Sequence, residues 1–150
     1  MTDYKQGRFI PKNPKKYRGD PTQIFYRSGW EKKCMDNFDM NANIISWSSE
    51  EIVIPYRSPV DGKIHRYFVD FYVEAKNFDN TIKHMLIEVK PFAQTQEPKV
   101  PKKRTKRFLT EVMTYGINQA KWNAAKQYCD LRGWEFKVIT EQELFKKKSK

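Results

Sequence analysis

Residues 67–90 constrain the fold of this 150-residue chain more than any other stretch. Two runs rich in aromatic and β-branched residues, YFVDFYVE and MLIEVK, flank a polar segment there. Such a pattern predicts two strands joined as a β-hairpin. Because side chains two residues apart lie on the same face of a strand, Glu88 and Lys90 are predicted to point one way, and Ile87 and Val89 the other.

Charged residues interrupt both predicted strands. If Asp70 on the first strand lies near Glu88 on the second, two carboxylates and the Lys90 ammonium meet at one end of a sheet. Two carboxylates suit Mg²⁺, which usually keeps several waters and takes further oxygens from a phosphate substrate. A lysine beside such a metal can steer a water molecule, so the set predicts a site for phosphodiester hydrolysis.

The same residues leave a second interpretation open, which is a solvated strand face with a cross-strand ion pair. The apolar neighbours Leu86, Ile87 and Val89 oppose it, because they indicate a strand that is buried on at least one face. Charges in such a strand cost free energy unless they are paired or bound to a metal.

Composition narrows the class of partner. The net charge of +11 favours a polyanion, with nucleic acid ahead of an anionic membrane surface. No apolar run approaches the ~20 residues of a membrane span, so no membrane partner is expected. The length predicts one domain. Cys34 and Cys129 are far apart and are predicted to be reduced core residues of an intracellular protein.

The chain divides into a predicted basic arm at 1–22, a domain at 23–145 and a basic tail at 146–150. Prolines keep the arm from being helical, and it is either a solvated tail or a contact for phosphates or a partner protein. A basic loop at 91–107 directly follows Lys90, and this position favours phosphate contact over a purely solvated role. The predicted DNA contacts of the loop are Lys102, Lys103, Arg104, Lys106 and Arg107.

Two helices are predicted on either side of the strands. The first runs from Thr22 to about Met40, and the second from Phe108 to about Tyr128, each with an apolar stripe of helical period. The first stripe consists of Tyr26, Trp30, Cys34 and Phe38. The second consists of Leu109, Val112, Met113, Gly116, Ala120 and Ala124. The other predicted elements are a hairpin within 51–74, strands at 44–47, 82–90 and 134–139, and a short helix at 141–145.

Three polar residues beside these stripes have two interpretations each. Arg27 and Glu31 lie four residues apart, so they either form an ion pair within the helix or serve the site formed by Asp70 and Glu88. Gln119 flanks the packed stripe of the second helix. It either completes the packing edge or contacts a phosphate or a water near the site.

The order of these elements and their charged residues resembles the PD-(D/E)xK nuclease superfamily over residues 26–139. Val69 stands where the nominal proline of the motif would be. The resemblance implies an α/β fold with a restriction-endonuclease-like αβββαβ core, in which helices flank a central mixed sheet. It implies a catalytic set of Glu31, Asp70, Glu88 and Lys90.

The resemblance also implies a cofactor. Mg²⁺, for which Mn²⁺ would substitute, would be held by Asp70 and Glu88 with help from the Val89 carbonyl, and Glu31 would hold a second metal or act through water. Arg27 and the basic loop would then bind backbone phosphates.

A closer resemblance is to the small head completion proteins of T4-type tailed phages, which are similar to end-cutting endonucleases of Tn7-type transposons. The segments that carry it are Asn13-Pro14, Tyr26-Arg27-Ser28 with Trp30-Glu31, Ile54-Pro55-Tyr56, residues 67–72 and residues 87–91. It implies a DNA endonuclease that acts at the end of DNA packaging, in the host cytoplasm or in the virion. The implied partners are DNA and the phage head, its portal or other head completion proteins. The oligomeric state stays open.

Two other functions fit part of the sequence. A non-catalytic, basic DNA-binding protein of the phage head could keep the nuclease fold with an idle site, although such a site has no reason to retain acids among isoleucine and valine. A ribonucleoprotein component fits the charge but leaves the carboxylates unexplained. A preference for RNA over DNA in a binding competition would favour it.

Overall fold

The computed structural model describes residues 6–145. It contains eight strands and three α-helices within those residues. The strands are β1 (Gly7–Arg8), β2 (Phe25–Tyr26), β3 (Ile44–Ser49), β4 (Val53–Arg57), β5 (Ile64–Phe68), β6 (Phe71–Lys76), β7 (Ile82–Val89) and β8 (Glu135–Ile139). The helices are α1 (Gly29–Met40), α2 (Lys106–Asp130) and α3 (Glu141–Leu144), with 3-10 turns at Pro14–Lys16 and Phe92–Thr95.

The central sheet has four strands in the order β3-β6-β7-β8. β3, β6 and β7 pair antiparallel, whereas β8 pairs parallel to β7. The parallel pair requires a crossover, which α2 supplies. This mixed sheet between helices confirms the predicted restriction-endonuclease-like α/β fold.

Each face of the sheet has its own core. Alternating residues of β6 and β7, such as Phe71 and Ile87, pack with α1 in one cluster. Their neighbours Tyr72 and Leu86 pack with α2 in the other. The alternation of β7 is therefore as predicted, with Ile87 and Val89 on the α1 side.

The first helix starts later than predicted, at Gly29 rather than Thr22. Phe25 and Tyr26 form a short strand with β1 instead, and the Ser28 hydroxyl then accepts a hydrogen bond from the Glu31 N–H, which is a helix N-cap. Trp30, Cys34 and Phe38 of the predicted stripe are buried.

The sequence predicts a basic arm at residues 1–22. In the structure, the described part of this segment, residues 6–22, packs against the domain. Phe9 and Tyr17 are 5% and 7% exposed, and both rings make edge contacts with Trp47. The carboxylate of Asp39 accepts hydrogen bonds from the backbone N–H groups of Lys12 and Asn13, at 2.8 and 3.0 Å. The aromatic residues of this segment therefore hold it in the core despite its prolines and lysines. Residues 1–5 and the predicted tail at 146–150 lie outside the described residues.

The packed stripe predicted for α2 was wrong in its first half. Leu109, Val112 and Met113 are exposed. The buried residues of the helix are Asn118, Trp122, Ala125 and Cys129. Helical period shows which residues share a face, but the position of the sheet decides which part of that face is covered.

Other expectations concern thiols and membranes. Cys34 and Cys129 are free and buried, as predicted. Across residues 6–145, no helix is long and apolar enough to span a membrane.

We predict that Asp39→Asn lowers the free energy of unfolding by about 1–3 kcal/mol in urea denaturation, because the amide nitrogen that replaces one carboxylate oxygen cannot accept the hydrogen bond from its backbone N–H group. Asp36→Asn is the matched control on the same helix, since Asp36 forms only an exposed ion pair with Lys32. It should cost less than about 1 kcal/mol. Equal losses in the two variants would show that Asp39 does not anchor the N-terminal segment.

Candidate active site

Asp70 lies where the chain passes from one sheet to another. β5 ends at Phe68 and pairs with β4, whereas β6 begins at Phe71 and belongs to the central sheet. Two backbone hydrogen bonds hold this junction, from the Val69 N–H to the Ile52 carbonyl and from the Glu50 N–H to the Asp70 carbonyl, each 3.1 Å. Asp70 is therefore at a bend and not inside a strand, which corrects the prediction.

The structure brings Asp70 and Glu88 together through reciprocal contacts. The Val89 N–H donates to Asp70 Oδ2 at 2.8 Å, and the Asp70 N–H donates to Glu88 Oε1 at 3.3 Å. Glu88 is 4% exposed, near the end of β7. The Asp70 carboxylate is thus fixed by the backbone of β7, and the Glu88 carboxylate by the backbone of the bend that precedes β6.

Both carboxylates open into a pocket of about 530 Å³, which we call the carboxylate pocket. Within the described residues its lining contains the three carboxylates of Glu50, Asp70 and Glu88 and four basic side chains, so three acids face four cations. The lining consists of Arg27, Glu50, Arg66, Tyr67, Phe68, Asp70, Glu88, Lys90 and Lys121.

A larger hollow of about 690 Å³ lies at the other end of β6, around the turn into β7. Its one lining carboxylate, Asp79, accepts hydrogen bonds from the backbone N–H and the hydroxyl of Thr81. That carboxylate caps the turn, so the hollow lacks the paired acids of the carboxylate pocket.

Burial makes the acids of the site hard to ionise. It raises the pKa of Asp70, although the hydrogen bond from Val89 and the charge of Lys90 oppose the change. Burial and then the charge of Asp70 raise the pKa of Glu88. Burial, followed by the charge of Asp70, raises the pKa of Glu31 to about 7. A cation in the pocket would relieve this repulsion.

Glu31 and Arg27 lie next to the pair without forming the predicted helical ion pair. The Arg27 backbone N–H donates to Glu31 Oε1 at 3.3 Å, while the Arg27 guanidinium pairs with Glu50 at 2.9 Å. Arg27 lines the carboxylate pocket, and Glu31 is close enough for its pKa to respond to the charge of Asp70.

Sequence reasoning missed Glu50, Arg66 and Lys121. Glu50 has a φ of 57°, a strained conformation for a residue with a side chain, and no sequence signal marks it. Lys121 Nζ lies over the rings of Tyr56 and Tyr67, at 5.8 and 5.5 Å from their centroids. Lys121 directly precedes the buried Trp122 on α2, and only the fold shows that its side chain lines the carboxylate pocket.

The remaining predicted DNA contacts are placed elsewhere. Gln119 is partly buried on α2 and is not among the described residues that line the carboxylate pocket. The five cations of the loop are exposed; Lys106 and Arg107 already belong to α2, and Arg107 pairs with Glu111 at 3.2 Å. Their contact with phosphates stays a prediction.

The donor set fits a hard divalent cation. Asp70 and Glu88 supply carboxylate oxygens at the mouth of an open pocket, as Mg²⁺ prefers. In residues 6–145 no group of three or more His, Cys, Asp or Glu side chains is arranged to hold a metal. The fit is therefore to a two-carboxylate site with room for water and a phosphate oxygen, and ligation by Glu31 and the Val89 carbonyl stays a prediction.

A model of the TnsA-like endonuclease N-terminal family matches residues 41–141. The chain belongs to this endonuclease family. The head completion nuclease of Enterobacteria phage T4 is 42% identical over 142 residues, which cover 92% of each chain. These findings confirm the resemblance to phage head completion proteins and transposon endonucleases, and they are consistent with the PD-(D/E)xK superfamily. The endonuclease family match includes Asp70, Glu88, Lys90 and Lys121, while Glu31 precedes it.

We predict that the metal-free protein loses stability as pH rises from about 4.5 to about 7, because the raised pKa of Glu31 makes the folded state bind more protons than the unfolded state in that window. Glu31→Gln should therefore be more stable than wild type at pH 8 in EDTA, by about 1 kcal/mol after allowance for solvent screening. Urea denaturation at pH 5 and pH 8 measures the difference.

Glu111→Gln is the control, since Glu111 is exposed on α2. It should keep the wild-type pH dependence. A Glu31→Gln variant with the same pH dependence as wild type would contradict the prediction.

Proposed function

We propose that this chain is a metal-dependent DNA endonuclease that acts in phage head completion after DNA packaging. The observation that carries the proposal is the Asp70–Glu88 pair, fixed by reciprocal backbone hydrogen bonds in a pocket with Lys90 at its edge. Membership of an endonuclease family supports a nuclease role. The requirement for a metal and the choice of DNA are parts of the proposal.

The basic residues of the carboxylate pocket would bind the scissile phosphodiester. Lys90, Arg66 and Lys121 line the pocket from the residue after β7, from β5 and from α2 respectively, so they approach it from different parts of the fold. Cations around a phosphate stabilise the charge that develops as the ester is cleaved. The Arg27 guanidinium is held by Glu50 and would stand beside the same phosphate.

Asp70 and Glu88 would hold Mg²⁺, with the Val89 carbonyl as a further ligand and Mn²⁺ as a substitute. The metal, when bound, supplies Lewis-acid polarisation of the phosphate. Lys90 would orient the attacking water and offset the negative charge that forms. Hydrolysis adds the water oxygen to phosphorus and breaks one P–O ester bond, which leaves a phosphomonoester and a hydroxyl group. Glu31, whose pKa is raised to about 7, would take part through a second metal or a water.

The biological setting rests on the relative. A chain 42% identical over 92% of its length is a head completion nuclease of phage T4, and this supports the same role here. The partners would then be DNA and the phage head, its portal or other head completion proteins. The protein would act in the host cytoplasm and could remain in the virion.

We predict that wild type cleaves supercoiled or branched DNA with Mg²⁺ or Mn²⁺ but not in EDTA. Asp70→Asn and Glu88→Gln should each lose activity by on the order of 10²-fold or more, since even residues that support a metal ligand indirectly cost about 10–100-fold. Both substitutions keep the shape of the side chain. DNA binding should persist, because the cations remain.

Asp79→Asn is the matched control, since its carboxylate caps the distant β6–β7 turn. It should cleave like wild type. Full activity of Asp70→Asn, or cleavage by wild type in EDTA, would overturn the proposal. If neither wild type nor Asp70→Asn cuts while both bind DNA equally, the non-catalytic DNA-binding function would replace it.

A further inference from the structure

The β4–β5 hairpin is a separate two-stranded sheet, which we call the ribbon: residues 53–57 and 64–68. Its antiparallel register places two sets of cross-strand pairs on opposite faces. The inward pairs are Ile54 with Tyr67 and Tyr56 with His65. The outward pairs are Val53 with Phe68, Pro55 with Arg66 and Arg57 with Ile64.

The inward face anchors the ribbon to the rest of the domain. Ile54, Tyr56 and Tyr67 are 2%, 8% and 2% exposed and share a core cluster with Trp122 and Ala125 of α2. An isolated hairpin is marginally stable in water, whereas packing against a helix gives it a fixed shape. The ribbon therefore stands as a rigid projection backed by α2.

The outward face combines apolar and basic side chains in solvent. Val53, Phe68 and Ile64 are 40%, 45% and 59% exposed, although large apolar residues usually face the core. Arg57 and Arg66 lie among them, and the Arg66 guanidinium is 5.6 Å from the centroid of the Phe68 ring. The ten strand residues contain no acid, so the face carries positive charge only.

The outward face leads directly into the carboxylate pocket. Arg66 and Phe68 belong to both, and Asp70 follows two residues later. A ligand that lies along the ribbon from Ile64 to Phe68, about 13 Å at the rise of a strand, reaches the acids at its end. One extended molecule can therefore contact both the ribbon and the carboxylate pocket.

We propose that the ribbon enters the major groove of duplex DNA and thereby places one strand's phosphodiester in the carboxylate pocket. This inference rests on the proposed function, because it takes DNA as the substrate. The major groove is about 12 Å wide and admits a two-stranded β-ribbon. The strands of the ribbon are about 4.8 Å apart, so two of them fit where a wider sheet would not.

The mixture of apolar and basic side chains on the outward face suits a groove of DNA better than its phosphate backbone. Phosphate oxygens accept hydrogen bonds from cationic and neutral polar groups, offer no partner to apolar side chains, and carry no sequence information. Base edges in the major groove offer guanine acceptors to arginine and the thymine methyl group to apolar side chains. Arg57 supplies the first kind of contact, and Val53 and Ile64 supply the second.

The experiment measures the affinity of the protein for a duplex oligonucleotide in EDTA, which removes the divalent metal that the proposed cleavage requires. Ile64→Glu puts a carboxylate on the outward face, at the end of the ribbon next to its turn, and should weaken binding about 10-fold or more, since DNA repels negative charge. Ile82→Glu is the matched control: Ile82 is also the first residue of a strand, is 54% exposed and lies at the far end of the central sheet. It should bind within about 2-fold of wild type, apart from the small uniform effect of one lost net charge.

A second variant and a chemical probe keep the test independent of one substitution. Arg57→Ala should weaken binding about 5-fold or more if the arginine contacts a base, whereas Lys126→Ala, on the exposed side of α2, should not. Methylation of guanine N7, in the major groove, should interfere with binding by wild type. The same methylation should interfere less with Arg57→Ala.

Binding by Ile64→Glu and Arg57→Ala as tight as that of the controls would overturn the inference, as would interference confined to adenine N3 in the minor groove. Thermal melting identifies a variant that has failed to fold. The proposed function fails separately: a wild type that never cleaves DNA but binds through the ribbon contradicts the chemistry alone. A wild type that cleaves while the ribbon variants bind normally contradicts the ribbon alone.

Discussion

The reciprocal hydrogen bonds between Asp70 and Glu88 are the interaction on which the rest of the structure depends. The Asp70 carboxylate accepts from the Val89 N–H of β7, and the Glu88 carboxylate accepts from the Asp70 N–H at the bend before β6, so the pairing of β6 and β7 holds both in place. Val69, 1% exposed, buries the junction before Asp70. The ribbon, the central sheet and α2 meet at this junction, which explains why acids and cations from several elements share one pocket.

This arrangement costs stability in the absence of a cation. Burial raises the pKa of Asp70, and burial together with the charge of Asp70 raises the pKa of Glu88 and of the nearby Glu31. Glu50 adds a strained backbone at the same place. Strain and buried acids of this kind persist when the surrounding fold enforces them, and they gather at functional sites. The two hydrophobic cores on either side of the sheet supply that enforcement.

Much of the site could be predicted because its information is local. Alternation along the apolar run around Glu88 indicated which side chains share a face, and the two interrupted runs indicated that Asp70 and Glu88 lie close together, although Asp70 stands at the bend before β6 and not inside a strand. The central sheet and the last strand follow from the same local patterns. The spacing of Glu31 from Arg27 at the edge of the apolar stripe left two interpretations open, and the resemblance to a nuclease superfamily implied its place in the catalytic set.

What could not be predicted depends on long-range packing. Lys121 and Arg66 enter the carboxylate pocket only because α2 and the ribbon are brought together in three dimensions. From the sequence alone, the N-terminal segment is either a solvated tail or a contact for phosphates or a partner protein. In the fold it packs on Asp39 and Trp47, which lie far away in the sequence. Likewise, helical period indicated a stripe on α2 but gave no sign that Leu109 would be exposed.

The central claim, that Asp70 and Glu88 form a divalent metal site, is tested most directly by Mn²⁺ binding measured by electron paramagnetic resonance at pH 8, without DNA. Wild type and Asp79→Asn should bind Mn²⁺ alike, because Asp79 only caps a distant turn. Asp70→Asn should bind Mn²⁺ about 10-fold more weakly or worse, since it removes one of two charged ligands. Equal binding by Asp70→Asn and wild type would contradict the account.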